Sequence, residues 1–319
     1  MVETTMIDIE QYGLHLERVK LPFRLNHVNC FLAEGEDGWT LIDTGLNNSE
    51  TNDLWNDTFK GKKLERIIVT HEHPDHLGSA GYLQEKYGVD IYTTKKTEEF
   101  GSYFMKDERV SHLKENYEKA AVPRSVISDL LSANDNMKRA ITPLPNVTHY
   151  LKEYEKIKIG PLSYEIIYTP GHAEGLITLF NKENRILIST DHILPRITPN
   201  ISYWFHGDDN PLETYIQSLK KVRKLNATLV IPSHGKPFYD ANERIDEIVA
   251  HHDERLDDIL DIIKDNHSVY DITNKMFDKQ LTTHELRFAI GEAIAHLEYL
   301  KHKGKCKREM VNGLWHYYL

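Results

Sequence analysis

One stretch constrains this chain more than any other: Thr70-His71-Glu72-His73-Pro74-Asp75-His76. Between positions 71 and 76 it packs three imidazoles and two carboxylates into consecutive residues. The β-branched run Arg66-Ile67-Ile68-Val69-Thr70 before it predicts a buried strand, and Leu77 to Leu83 after it predicts a helix. The cluster therefore belongs on a strand-to-helix loop. Alternate side chains of an extended backbone point the same way, so His71 and His73 can converge on one point while Asp75 and His76, at the helix start, aim at a second. Neutral imidazole and carboxylate are ligands of zinc, iron and manganese. A plainer reading makes Asp75 a helix N-cap and leaves the histidines on a loop surface. The rest of the chain has to choose between them.

Three later strand ends carry matching groups. Thr169-Pro170-Gly171-His172, Thr190-Asp191-His192 and Pro232-Ser233-His234-Gly235 each follow an apolar run and turn out of it. A lone histidine at any of them would be incidental. Together with positions 71 to 76 they supply the candidate ligands His71, His73, His76, His172, His234, Asp75 and Asp191, all at junctions where a rigid scaffold presents functional groups. Asp43-Thr44-Gly45 ends another strand. Asp43 is either a turn former or a residue that supports a metal ligand through a hydrogen bond.

The remaining pattern describes the scaffold. Strand signals at 12–21, 28–33 and 39–42 form a β-meander, followed by a helix at 49–58 that Ser49 would cap. Strands and helices then alternate through 89–92, which indicates α/β layers. Positions 95 to 142 break the pattern with charge and helix formers, predicting two or three inserted helices that either pack or form a lid. Strand signals return at 148–151, 156–159, 163–169, 176–180, 185–189 and 227–231, with a helix at 211–224 opened by Pro211. Two groups of strands, each with helices attached, fit a sandwich of two sheets covered by helices better than one doubly wound sheet.

The order His-x-His-x-Asp-His, Gly-His, Asp, Ser-His-Gly resembles the metallo-β-lactamase superfamily, most closely its glyoxalase II-like and lactamase-β-like hydrolases. The resemblance spans residues 26 to 235. It implies an α/β fold of the four-layer kind: an αββα sandwich of two mixed sheets flanked by helices, with two divalent metal ions at one edge. By motif, His71, His73 and His172 would hold the first ion, and Asp75, His76 and His234 the second. Asp191 would bridge them, and Asp43 would support the site. The implied activity is hydrolysis of a small ester, thioester, lactone or phosphoester by a hydroxide held between the metals, with Asp75 and Asp191 placed to take up protons. Zinc is the first expectation, with manganese or iron as alternatives. A β-lactamase is disfavoured, because those enzymes carry Cys where this chain has Asp191. A phosphodiesterase or nuclease of the same superfamily is the nearest rival, and a metal-binding regulatory module a more distant one.

The domain expectation is a catalytic unit over 1–240 and a small unit over 241–319. The tail predicts helices at 242–265, 269–277 and 283–301, then a hairpin through Asn312-Gly313, a strong type I′ signal. That order resembles a winged helix, yet the tail carries 15 Asp and Glu against 11 Lys and Arg. Packing or a homodimer interface suits it better than nucleic acid, the basic run Lys301, Lys303, Lys305, Lys307, Arg308 excepted. The charged stretch His252-Asp253-Glu254-Arg255 predicts a solvated face. Arg196 and Tyr203, in the loop leaving Asp191, are candidates to meet a small-molecule substrate: Arg196 by pairing with an anion, Tyr203 either in the pocket or in plain packing. A net charge of −10 argues against a general nucleic-acid surface. The first residues read as having no signal peptide, no apolar run is long enough for a membrane span, and Cys30 and Cys306 suggest no disulfide framework. A cytoplasmic location is the resulting expectation.

Overall fold

The computed structural model describes residues 7–265, 267–277 and 280–319; the opening residues read above for a leader lie outside these up to position 6. The first sheet contains β1 (His15–Lys20), β2 (His27–Glu34), β3 (Trp39–Ile42), β4 (Leu64–Ile68), β5 (Asp90–Thr93) and β6 (His149–Tyr150), in that spatial order. β1 to β3 form the antiparallel meander, and β3 to β6 run parallel. Parallel neighbours need crossovers. These are α1 (Ser49–Thr58), then α2 (Pro74–Leu77) with α3 (Ala80–Tyr87), then the insertion of α4 (Lys95–Tyr103), α5 (Glu108–Lys119) and α6 (Arg124–Arg139). The second sheet holds β7 (Lys156–Ile159), β8 (Leu162–Tyr168), β9 (Ile177–Asn181), β10 (Ile186–Thr190), β11 (Leu229–Pro232) and β12 (Phe238–Tyr239). It is antiparallel except at β10–β11, where α7 (Pro211–Arg223) makes the crossover.

Alternation along the strands builds the layers. Phe31, Ala33, Ile42 and Ile68 face inward and meet Ile166, Leu179, Ile188 and Ile231 of the other sheet. Their neighbours Cys30, Leu32, Leu41 and Ile67 face outward onto Trp55, Phe59 and Leu83 of α1 and α3. Ile167, Phe180, Leu187 and Val230 likewise turn to the far side of the second sheet, against Leu212, Tyr215 and Leu219 of α7. The αββα sandwich is as the sequence implied. The α1 cap is Asn48 rather than Ser49: its side chain accepts from the Thr51 amide at 2.9 Å, one residue earlier than propensity alone suggested. The expected helix at 77–83 is split, with α2 ending at Leu77 and α3 starting at Ala80.

The tail comprises α8 (Ala241–Ile262), β13 (His267–Ser268), α9 (Val269–Met276), α10 (Thr283–His302), β14 (Lys307–Val311) and β15 (Leu314–Tyr318), the strands ordered β13-β15-β14. Asn312 and Gly313 both take positive φ, as a type I′ turn requires. The tail packs against the rest of the chain. Ile245, Ile248, Ile290, Ile294 and Leu297 share one core with α5, α6, α7 and the outer face of the second sheet. The 252–255 stretch is only half solvated: Asp253 and Glu254 are exposed, but His252 turns into that core because its position falls on the apolar stripe of α8. Two contacts lock α10 over the sandwich edge. Phe23, between β1 and β2, stacks on His284 with centroids 4.3 Å apart. Gly291 lets the 200–204 loop approach so closely that a Cβ there would lie 2.8 Å from that of Ser202. The Tyr203 amide donates to the Gly291 carbonyl at 3.0 Å. Among the described residues, no helix is long and apolar enough to cross a membrane.

Candidate metal centre

The predicted ligands meet at one edge of the sandwich, each delivered by a different junction. β4 ends at Ile68, and the chain bends through 71–73, His73 taking φ −64° and ψ 145° before Pro74 opens α2. Asp75 caps nothing: the N-cap position is His73, and no side chain satisfies the first turn. Gly171, at φ 133°, passes so close to α7 that a Cβ would lie 2.5 Å from the Tyr215 Cα, so the turn carrying His172 needs glycine. At the end of β10 the pairing with β11 slips between Ile188 and Thr190, and Thr190 adopts φ 50°. This irregularity turns Asp191 inward, as β-bulges do at functional edges.

Two groups result. The ligand atoms of His71, His73, His172 and Asp191 lie within 4.8 Å of one another, and so do those of Asp75, His76 and His234. Asp191 joins the groups, its Oδ2 lying 3.5 Å from His76 Nε2, 3.4 Å from His172 Nε2 and 3.3 Å from His234 Nε2. Asp75 Oδ2 is 3.7 Å from His76 Nε2 and 3.5 Å from His234 Nε2.

Hydrogen bonds at the back of each ring decide which nitrogen faces this space. His76 Nδ1 meets Asp43 Oδ2 at 2.8 Å, His172 Nδ1 meets the Asn200 carbonyl at 2.8 Å, and His234 Nδ1 meets the His27 carbonyl at 2.7 Å. Each of those acceptors takes the Nδ1 proton, so in the neutral form of each ring the lone pair is on Nε2. Asp43, buried and at φ 59°, also accepts from the Thr70 amide at 2.9 Å and the Thr70 hydroxyl at 2.8 Å. With its proton given to Asp43, Thr70 Oγ1 can only accept from His71 Nδ1, 3.1 Å away, which frees His71 Nε2. That atom lies 3.1 Å from His73 Nδ1. His76 Nε2, His172 Nε2, His234 Nε2 and Asp191 Oδ1 are buried with no hydrogen-bond partner among the described residues. Buried polar atoms are nearly always satisfied. Three imidazole nitrogens and a carboxylate without protein partners, gathered around Asp191, are a donor set that fits a cation.

The charges agree. Burial pushes the pKa values of His71 and His73 well below the usual imidazole range, keeping both in the neutral form that ligates metal. For His76, burial opposes the charge but the Asp191, Asp43 and Asp75 carboxylates outweigh it and hold the pKa well above that range. For Asp191, burial opposes ionisation while the facing His234 and His76 hold its carboxyl well below the ordinary value. The carboxylates thus hold positive charge in the site, a role a divalent ion fills at lower cost than protonated ligands. Beside them, burial raises Glu72 to about 7; its Oε1 accepts from the Glu174 amide at 3.2 Å.

The site opens into a cavity of about 1180 Å³, walled by the Leu21–Leu25 loop, the insertion, the 194–204 loop and the start of α10. Arg196 is exposed and outside this wall, which its neighbours Leu194 and Ile197 line instead. Tyr203 is also outside: it packs into the tail core against Phe205, while the next residue, Trp204, faces the cavity with its ring 6.2 Å from that of His73. The loop leaving Asp191 does line the cavity, but not through Arg196, and Tyr203 takes the packing alternative, since the side-chain direction depends on how the loop docks on Gly291. Sequence reasoning missed Arg109, Asn200 and Arg287, which do line the cavity. Arg287 left a signal, a charge three residues before Ile290 and seven before Ile294 on the buried stripe of α10.

A four-layer sandwich with this His and Asp constellation at its edge defines a class of metal-dependent enzyme folds. The chain belongs to the metallo-beta-lactamase superfamily: the family's model matches residues 24–234, and the model of the metallo-beta-lactamase-like C-terminal domain matches residues 256–318. It is 23% identical over 311 residues to a probable metallo-hydrolase, YqjP, of Bacillus subtilis (strain 168), covering 93% of each chain. It is 25% identical over 267 residues to the beta-lactamase-like protein 2 homolog of Caenorhabditis elegans, covering 80% of this chain and 72% of that one. Among solved structures, a beta-lactamase domain protein from Burkholderia ambifaria superposes with a TM-score of 0.84 at 29% identity, over 97% of this chain and 93% of that one. A metallo-beta-lactamase family protein from Thermus thermophilus gives 0.84 at 25% identity, over 96% and 98%.

Proposed function

We propose that this chain is a hydrolase of ester-type bonds in a small molecule, working through two divalent metal ions. His71, His73, His172 and Asp191 would hold one ion, and Asp75, His76 and His234 the other, with Asp191 shared. The observation that carries this reading is the set of buried, unpartnered atoms on His76, His172, His234 and Asp191 that converge on one point. Their chemistry, nitrogen and carboxylate with no thiolate, suits zinc, manganese or iron. Ions bound there would polarise the scissile carbonyl or phosphoryl group and lower the pKa of a water to about 7. The chain's own residues do the rest. Asp43, Asn200 and the His27 carbonyl fix the imidazole tautomers. Asp75 and Asp191 are the carboxylates within reach to accept a proton as the water attacks.

The nuclease alternative has less support. Within the tail's basic run, Lys301 and Arg308 both pair with Glu298, Arg308 at 2.7 Å, and Lys303 pairs with Glu213 at 2.7 Å. These charges serve internal contacts, so the winged-helix-like tail acts here as a wall of the substrate cavity. The test is a panel of esters, thioesters, lactones, phosphomonoesters and phosphodiesters, run on protein reconstituted separately with zinc, manganese and iron. The reading expects about two metal equivalents per chain and turnover of a carboxylic ester or thioester that His71→Ala abolishes. Protein that binds no metal, or hydrolyses only phosphodiesters, would refute it.

A further inference from the structure

Among the described residues, two guanidinium groups on the cavity wall have no carboxylate partner. Arg287, on α10, forms no hydrogen bond and no ion pair among the described residues, and its Nε is buried without a partner. Arg109, on α5, is 3% exposed. Its Nε is likewise unpartnered, and its only side-chain hydrogen bond among the described residues goes to the neutral side chain of Asn134. Both are held by aromatic faces: Arg287 Cζ lies 5.3 Å from the Trp204 ring and 4.7 Å from Phe288, and Arg109 Cζ lies 4.2 Å from Phe104. Of the carboxylates on the wall outside the metal centre, Glu292 is engaged with Asn200 and Glu285 with Arg24, while Glu72 meets the Glu174 amide through Oε1 and keeps Oε2 buried without a partner, with no ion pair to either arginine among the described residues.

Elsewhere the fold neutralises its buried charges. Glu298, 1% exposed, takes Arg308, Lys301 and the Tyr317 hydroxyl. Two unneutralised cations against an apolar wall are costly unless a ligand supplies the opposite charge. Burial pushes Arg109 down to about 10 and lowers Arg287 as well, the direction expected of cations kept from water and from anions. Guanidinium nitrogens set against aromatic faces are suited to bind an oxyanion. Trp204 touches both features, its ring lying 5.3 Å from Arg287 Cζ and 6.2 Å from the His73 ring.

We propose that Arg287 and Arg109 form an oxyanion subsite. The substrate it selects is an ester or thioester with an apolar body and a carboxylate or phosphate a few bonds from the scissile carbonyl. The subsite follows from the cavity alone; the scissile ester rests on the hydrolase reading above.

The test uses the full-length, metal-loaded protein and non-hydrolysable ligands with one alkyl chain: octanoate, octyl phosphate and octanamide, measured by calorimetry. Wild type is expected to bind at least one of the two anions about tenfold or more tightly than octanamide; the tighter anion tells carboxylate from phosphate. R287M and R109M should each remove most of that preference while leaving octanamide binding unchanged, which also shows that the variants are folded. R287K should restore part of it. Equal binding of anions and amide by wild type overturns the proposal, and so does a preference that survives both substitutions, because the anion would then be on the metals. A parallel turnover assay compares thioesters ending in carboxylate, phosphate or methyl. Failure to hydrolyse any of them sinks the hydrolase reading while the calorimetry still decides the subsite; equal kcat/KM for all three overturns the subsite and leaves the hydrolase reading standing.

Discussion

Asp43→Asn is the sharpest probe of how the fold prepares the metal centre. The carboxylate accepts from the Thr70 amide through Oδ1, and from the Thr70 hydroxyl and His76 Nδ1 through Oδ2. Asparagine keeps the shape and tolerates the positive φ of 59°, so backbone strain does not enter. It has one acceptor oxygen. If that oxygen keeps the Thr70 amide, an NH₂ group faces two donors that previously pointed at Oδ2. The His76 contact can be remade in reverse, as set out next, whereas the Thr70 hydroxyl loses a bond to a charged acceptor worth about 1.5–3 kcal/mol, so destabilisation of about 1.5–3 kcal/mol is expected. The second consequence concerns the tautomer. His76 Nδ1 would accept from the new NH₂ and carry its proton on Nε2, which faces Asp75 and Asp191. Loss of such a supporting partner costs about 10–100-fold in metal affinity. Urea unfolding with and without chelator measures the first effect, and zinc competition against a chromophoric chelator the second. A variant that binds zinc as tightly as wild type and unfolds at the same urea concentration would refute the account of Asp43 as the residue that orients His76.

Three further outcomes are expected. His234→Ala removes a ligand from the Asp75, His76, His234 group and leaves the His71, His73, His172, Asp191 group whole; bound metal by elemental analysis should fall from two equivalents to one, and two retained equivalents would contradict the division. His252 and His296, hydrogen-bonded to each other at 3.0 Å, are pushed down by burial to about 2 and about 4. The unfolded chain protonates both below about 6.5 and the folded chain does not, so their contribution is full above pH 6.5 and is lost as pH falls towards 4. Each group adds a slope of up to about 1.4 kcal/mol per pH unit in that window; H252Q should flatten the pH dependence of the urea midpoint between 6.5 and 4, and an unchanged slope would show that His252 is not held neutral. Gly291→Val places atoms against Ser202, whose Oγ would lie 2.7 Å from an added Cβ; overpacking there should destabilise by about 1–3 kcal/mol, and an unchanged midpoint would mean the loop yields freely.

How legible the molecule was depends on how local each feature is. The His71 to His76 run, the Gly171-His172 turn and the Ser233-His234-Gly235 turn name their residues and junctions together, because a ligand at a strand end is positioned by the strand itself. The type I′ hairpin at Asn312-Gly313 was equally readable, since two consecutive positive φ values select those residue types. The α1 cap was misplaced by one residue because Asn48 and Ser49 are both good caps and only the backbone distinguishes them.

The sequence by itself therefore determined the sandwich, the layer alternation and the identity of the clustered His and Asp side chains. Only the tertiary structure decided what surrounds them. It put Arg196 in solvent and Tyr203 in the tail core, and brought Trp204, Arg109 and Arg287 to the cavity in their place. It also showed Asp43 hydrogen-bonded to Thr70 and His76 together, contacts no local pattern around Asp43-Thr44-Gly45 records. The reason is physical. Strand periodicity fixes where a side chain points relative to its own sheet, but the cavity wall joins segments more than 150 residues apart, from Arg109 on α5 to Arg287 on α10. Their directions are set by how whole helices pack across one shared core, and no local pattern in the chain records that.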